Sequence, residues 1–257
     1  METPTGTTAI IRGVPNTFHL AIRPDGTAKP IDVRLAETQH EAYCRALSST
    51  GLDVVRIDAD DRYPDCLYVE DTAIIVGDKA FISLMAAESR RGESDAVAAK
   101  LSEFKPVHQL APPATLDGGD VLQVDQCIYV GLSQRTNAQA IDQLRTALQP
   151  EDYEIIPVSV HGILHLKSAC TYLGDGTVVM LDGHLDERPF RNFRKVPVPP
   201  AEAHAANCLA LNDVVLVPAE APETRAKIEE IGFETEEIDL SESRKAAGGL
   251  TCSSIVF

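Results

Sequence analysis

Apolar positions along the chain come in short bursts with a period of two, each interrupted by a Gly, Asp or Asn pair. "VEDTAIIVGDKAFISL" reads as two strands around Gly77-Asp78, and "GGDVLQVDQCIYVGL" repeats the pattern around Asp125-Gln126. "SACTYLGDGTVVML" does so around Gly174-Asp175-Gly176, and "NCLALNDVVLVP" around Asn212-Asp213. β-branched and aromatic residues flanking such turns predict hairpins. Between the hairpins the period becomes helical. Leu35, Ala42, Tyr43, Ala46 and Leu47 line one face, ended by Gly51. Val97, Leu101 and Phe104 form a second stripe, Ile141, Leu144 and Leu148 a third, and Ile228 with Ile231 a fourth stopped by Gly232. "DERPFRNFRKVPVPP" is too rich in proline for more than a short helix. Further strands are expected at "DVVRID", "YEIIPV" and "TEEIDL".

The hairpins recur at about 40–50 residues, a period typical of repeat architectures. The expectation is one domain of five ββαβ units, at approximately 7–60, 61–110, 111–160, 161–200 and 201–242, the first starting at "AIIRGVPNTFHLAIR". A unit this small cannot bury both faces of its sheet, whereas five around an axis can, with the helices outside. A C-terminal strand within 250–257 then pairs into the first unit and closes the ring. That closure puts Cys252, on the turn "GGLTC", at the central axis.

Composition narrows the class. The 257 residues are 44% hydrophobic and 24% charged, as in soluble globular proteins. No apolar run approaches the roughly 18–20 residues of a membrane span. The start, "METPTGTTAII", lacks a secretory pattern, so the chain reads as cytoplasmic. Its six cysteines are scattered with no C-x-x-C pair, which argues against a disulfide framework and a structural zinc site. The net charge of −16, with no basic cluster among aromatics, argues against nucleic acid. It suits a cationic small substrate, although solubility alone also accounts for it. Nothing in the sequence calls for a cofactor or a metal, and a homodimer is a candidate assembly.

Several polar positions interrupt the apolar pattern. In "YPDCLYVEDT", Asp65, Glu70 and Asp71 stand at the mouth of a strand. They read either as a solvated turn or as a cradle for a guanidinium, which a carboxylate can hold with two parallel hydrogen bonds. In "ESRRGE", Arg90 and Arg91 read as a charged helix start or as a clamp for a carboxylate. Arg135 in "LSQRTN" lies on a loop between strand and helix. Asp117 and Asp120 flank two glycines in "LDGGDV", as a plain turn or with Asp117 aimed at the axis. His165 in "ILHLKS" has apolar neighbours and reads as a core histidine, except that it begins a hairpin in the register of Glu70 and Asp117. If these positions converge, the site holds a thiol, an imidazole, acids and arginines. That set fits a zwitterionic amino acid with a cationic side chain.

Seven segments, "CLYVEDTAIIV", "SRRGE", "TLDGGDVL", "VGLSQRTN", "LHLKSACTYL", "AANCLALN" and "GGLTCSSIVF", occur in order and with comparable spacing over nearly the whole chain. Together they resemble the dimethylarginine dimethylaminohydrolases, which belong to the arginine deiminase superfamily of guanidino-group modifying enzymes. The resemblance implies the pentein fold, a five-bladed α/β-propeller, and hydrolysis of methylated arginines to citrulline through a covalent S-alkylthiouronium. It implies Cys252 as nucleophile, His165 as general acid/base and Asp117 as the acid supporting the histidine. It assigns Asp65, Glu70 and Asp71 to the substrate, and Arg90 and Arg135 to its α-carboxylate. Two departures stand out. Ala247 occupies a position where the family has aspartate, which leaves only backbone contacts from Ala246 there. The lid stretch "VPNTFHLAIRPDG" is about one residue short of the pattern, and Ile22 is the candidate for its substrate-facing carbonyl. A deiminase acting on free arginine, a cysteine acyl-hydrolase with Cys252, His165 and Asp117 as triad, and a binding scaffold without catalysis are the rival readings.

Overall fold

The computed structural model describes residues 3–24 and 29–257. Its elements run β1 (Thr8–Arg12), α1 (Val33–Ser49), β2 (Asp53–Ile57); β3 (Ala73–Val76), β4 (Lys79–Ile82), α2 (Ser94–Leu101), β5 (Val107–Gln109); and β6 (Val121–Val124), β7 (Cys127–Leu132), α3 (Ala138–Leu148), β8 (Glu154–Ser159). They continue with β9 (Cys170–Gly174), β10 (Thr177–Met180), β11 (Arg194–Pro197); β12 (Leu209–Leu211), β13 (Val214–Pro218), α4 (Pro222–Glu230), β14 (Glu234–Ile238); then α5 (Ser241–Arg244) and β15 (Ile255–Val256).

These strands form five sheets of three strands each. In four of them a hairpin is followed by a parallel third strand, as in β6-β7-β8. The hairpin turns carry left-handed residues: Gly77, Asp125, Asp175, Gly176, Asn212 and Asp213 all have positive φ. Gly, Asn and Asp enter that region most readily, which is why they punctuate the pattern. The unit of β9 to β11 has no α-helix between its last two strands; a short 3-10 turn at Arg188–Phe190 replaces it.

The first sheet differs from the expected hairpin. "AIIRGVPNTFHLAIR" supplies only β1; after it the chain makes a 3-10 turn at Phe18–Leu20. Pro15 and the polar run around it do not return as a strand. The antiparallel partner of β1 is β15, which pairs Ala9 with Val256 and Ile10 with Ile255, while β2 lies parallel on the other side. The two ends of the chain therefore build one sheet together. The lid stretch packs Phe18 and Ala21 against Leu67, Tyr68 and Ala246, and its residues 25 and 26 lie outside the described residues.

The helical stripes shift slightly from the sequence pattern. The Asp32 carboxylate caps α1 by accepting from the N–H groups of Arg34 and Leu35. Ala36, Tyr43, Ala46 and Leu47 are buried, while Leu35 stays exposed in the first turn. Phe104 lies past the end of α2, exposed, with its ring edge-on to Phe257. Among the described residues no helix is long and apolar enough to cross a membrane.

Ile255 is buried in a cluster with Ile10, Val69, Ile82, Val97 and Leu101, which joins the closing strand to the second unit. Ile255→Ala should lower the free energy of unfolding by about 2–5 kcal/mol, the cost of a buried large-to-small change. Urea denaturation with an unchanged m-value would show it, and an unchanged midpoint would remove this contact from ring closure.

Candidate active site

Four short turns bring the polar residues together: Val69–Thr72, Gly118–Asp120, Leu166–Ser168 and Thr251–Ser253. The first packs against the second and the last, and the second against the third. Two of them depend on glycine. A Cβ on Gly118 would sit 2.0 Å from the Glu70 carbonyl oxygen, and one on Gly119 2.7 Å from His165 Nδ1. The "GG" of "LDGGDV" therefore lets two hairpin entrances meet at van der Waals distance. At the C-terminus the same holds: a Cβ on Gly248 would strike Ser243 and Tyr68, and one on Gly249 would strike Asn207.

His165, 4% exposed, places Nε2 3.1 Å from Asp117 Oδ2 and Nδ1 3.9 Å from Asp71 Oδ1. Burial opposes its charge, but the field of Asp71, the hydrogen bond to Asp117 and the nearby Asp120 outweigh burial. The imidazole is pushed up to about 9 and is a cation at neutral pH. Asp71 is held below the usual carboxylate range: burial works against its charge, and His165, Arg90 and the Gly119 N–H more than compensate. Asp117 is fully buried, and its Oδ1 has no hydrogen-bond partner among the described residues. Asp120 serves the backbone instead. It accepts from the Leu166 N–H at 2.9 Å and the Ser133 hydroxyl at 2.6 Å.

Cys252 is partly exposed, and its Sγ accepts the Gly249 N–H at 3.3 Å. Burial first, and then the charges of Glu70 and Asp71, push the thiol well above its ordinary value, against the pull of that N–H and of Lys167. The sulfur is therefore a neutral thiol at neutral pH. Asp71 links the two sides of the site, as its charge acts on both the imidazole and the thiol.

The remaining expected residues divide by engagement. Asp65 is buried and ties down the lid by accepting the Ile22 N–H at 3.1 Å. Burial raises its carboxyl despite Arg90 and that hydrogen bond. Ile22 itself is exposed, and Ala246 is buried with its N–H given to the Ser243 carbonyl. Glu70 is engaged at both oxygens, by Lys167 Nζ at 2.5 Å and by the Thr251 hydroxyl at 2.7 Å. A cavity of about 260 Å³ touches that pair and Tyr172, but neither Cys252 nor His165 lines it. Arg90, expected as a carboxylate clamp, is buried with Nε and both Nη atoms already bound: to Glu93, to Asp71 at 2.7 Å, and to the Tyr68 carbonyl. Arg135 is less buried and rests 3.5 Å from Asp117 Oδ2.

Sequence reasoning assigned no role to Lys167, Glu93, Asn207 or Thr251. Each falls inside or beside a segment that was singled out, but its role depends on a partner far along the chain. Asp71, Asp117 and His165 also present ligand atoms within 4.8 Å of one another, a spacing that a metal ion could use. A metal there would have to displace the imidazole proton and compete with Arg90 for Asp71.

Five small three-stranded sheets, with a thiol, an imidazole and several acids on the turns between them, define the α/β fold of the pentein class. A family profile described as N,N dimethylarginine dimethylhydrolase, eukaryotic, matches residues 16–196. The N(G),N(G)-dimethylarginine dimethylaminohydrolase of Streptomyces coelicolor is 38% identical over 228 residues, covering 88% of this chain and 87% of that protein. The enzyme of the same name from Pseudomonas aeruginosa is 35% identical over 228 residues, covering 88% and 90%. The solved structure of a cysteine-to-serine mutant of the Pseudomonas aeruginosa enzyme, complexed with citrulline, superposes with a TM-score of 0.95 at 32% identity, over 98% of this chain and 100% of that one. The N-terminal domain of a cyanobacterial arginine dihydrolase shares the fold, with a TM-score of 0.88 at 17% identity, covering 98% and 97%. The chain belongs to the dimethylarginine dimethylaminohydrolase family.

The raised imidazole has a consequence for stability. A cation favoured by folding contributes fully below its unfolded value of 6.5 and is lost as pH rises through about 9. His165→Asn should therefore be less stable than the parent at pH 6, by on the order of 3 kcal/mol, and the gap should close by pH 10. Urea midpoints across that range would check it, and a gap independent of pH would contradict the ion cluster.

Proposed function

We propose that this chain hydrolyses Nω-methylated arginines to citrulline and methylamines, with Cys252 as nucleophile. The observation that carries this reading is Asp117 Oδ1, a buried carboxylate oxygen with no donor among the described residues, on a carboxylate beside a cationic imidazole whose other acid, Asp71, also acts on the Cys252 thiol. An unpaired buried oxygen of this kind costs about 1–3 kcal/mol or more. The planar N–H edge of a guanidinium supplies what it lacks, and the excess of acids around it suits the positive charge.

On this reading the substrate activates its own attacker. Its guanidinium, set against Sγ, offsets the charges of Glu70 and Asp71 that hold the thiol protonated, and the thiol releases its proton to solvent as the complex forms. The thiolate adds to the guanidinium carbon. His165 is already protonated at neutral pH and gives its proton to the departing dimethylamine, because an amide anion is a very poor leaving group. The S-alkylthiouronium remains. Neutral His165 then takes a proton from water as that water attacks the same carbon. The C–S bond breaks, and citrulline leaves. Asp71 and Asp117 hold the imidazole between them, so orientation supplies much of the rate. Asp65, the lid backbone at Ile22 and the backbone at Ala246 border the amino-acid end. Arg135, the more exposed arginine, receives the α-carboxylate; Arg90 reaches it only by exchanging some of its present partners.

Cys252→Ser should reduce turnover of asymmetric dimethylarginine by several orders of magnitude while calorimetry still detects binding. Turnover near that of the parent would exclude Cys252 as nucleophile. Arg135→Ala should raise KM roughly 10- to 100-fold, the loss of one charge-assisted hydrogen bond of about 1.5–3 kcal/mol, with a much smaller change in kcat. An unchanged KM would remove Arg135 from carboxylate binding. Citrulline formed faster from free arginine than from the methylated forms would favour a deiminase instead.

A further inference from the structure

Asn207 follows a run of 3-10 turns, Pro200–Ala206, and precedes β12. It is 7% exposed. Its Oδ1 accepts the Thr251 N–H at 3.0 Å. Its Nδ2 donates to the Thr251 hydroxyl at 3.0 Å and to the Lys167 carbonyl at 2.9 Å. Thr251 immediately precedes Cys252, and Lys167 stands two residues after His165. One side chain thus bonds to the backbone of the turn that carries the sulfur and to the backbone of the turn that carries the imidazole.

The contacts close into a loop. The Thr251 hydroxyl, having accepted from Asn207, donates to Glu70 Oε2, and Glu70 Oε1 pairs with Lys167. Asn207 then returns to the Lys167 carbonyl. The amide also sits where a side chain at position 249 would be, since a Cβ there would lie 2.3 Å from Asn207 Oδ1. Gly249 is the residue whose N–H meets Sγ. The amide thereby fixes both the residue before the nucleophile and the residue that donates to it.

We propose that Asn207 is a positioning residue for the reaction, one that sets the thiol of Cys252 in register with His165. The chemistry requires an amide. The Thr251 N–H needs an acceptor, while the Lys167 carbonyl and the Thr251 hydroxyl each need a donor, and only Asn or Gln offers an acceptor and two donors from one neutral group. An aspartate keeps the acceptor, loses both donors and adds a negative charge beside Glu70. An alanine loses all three bonds and leaves the Lys167 carbonyl without this partner. Asn207 touches neither the reacting atoms nor, on the reading above, the substrate.

The inference rests on that reading of the site, and two measurements keep the two separable. Asn207→Asp and Asn207→Ala are assayed for citrulline release from asymmetric dimethylarginine. Alkylation of Cys252 by iodoacetamide is followed between pH 7 and 10, with the modified peptide identified by mass spectrometry. Both variants should lose roughly 100-fold in kcat, the effect of a displacement near 1 Å, with KM within about threefold of the parent. Asn207→Asp should also alkylate several-fold more slowly at pH 9, because the added charge disfavours the thiolate. Thr251→Val, which breaks only the hydroxyl link, gives a second route if an Asn207 variant does not fold, and should lose roughly tenfold in kcat. The proposal is overturned if the folded variants keep kcat within twofold and the parent alkylation profile, or if KM rises as far as kcat falls. If the parent protein itself releases no citrulline, the substrate assignment fails, and the alkylation profiles alone judge Asn207.

Discussion

Burying carboxylates on the ring axis is the constraint around which the rest of this structure is organised. Asp65, Glu70, Asp71, Glu93, Asp117 and Asp120 are all buried. Arg90, Lys167, Arg135 and a protonated His165 are the cations that face them. The acids outnumber the cations, and the surplus appears as shifted protons. Burial pushes Glu93 up to about 7 even against Arg90, and raises Asp65 and Asp120 as well. The same surplus charges the imidazole and protonates the thiol. A site with this surplus of buried acids suits an added cation.

The fold makes such a concentration affordable by spreading its supports. Glu70, Asp71, Asp117 and Asp120 enter the site from short turns before hairpins, Asp65 and Glu93 flank the β3–β4 hairpin, and the apolar strands behind those turns carry the packing. The Arg90 guanidinium meets Asp71 from one element and Glu93 from another. The Tyr43 hydroxyl donates to the Leu250 carbonyl at 2.8 Å and so anchors the turn of Cys252 to α1. The close glycines at 118, 119, 248 and 249 let these turns approach without intervening side chains. The chain then closes through β15, so the segment bearing Cys252 is also the segment that seals the ring.

Much of this was legible in the residues. The hairpins at Gly77, Asp125, Asp175 and Asn212 showed themselves because left-handed turns demand Gly, Asn or Asp. The helices showed themselves because one face of each is buried. The repeat put Glu70, Asp117 and His165 in one register, and the closing strand, not the register, was the ground for expecting Cys252 beside them. What misled was local appearance. "AIIRGVPNTFHLAIR" looked like another hairpin, yet β1 finds its antiparallel partner some 250 positions away, and no local pattern encodes that pairing. Arg90 reads in sequence as a charged helix start or a carboxylate clamp, and which partners take its donors, Glu93 and Asp71, is visible only in space.

The sequence by itself determined the units, their period and the chemical types collected at their turns, because those depend on neighbours a few residues apart. Only the tertiary structure decided which charge faces which. Lys167 on Glu70, Asn207 on Thr251 and Asp71 between imidazole and thiol are pairings across separate units. Coulomb and hydrogen-bond energies depend on distances in space, and those are set only once the ring has closed.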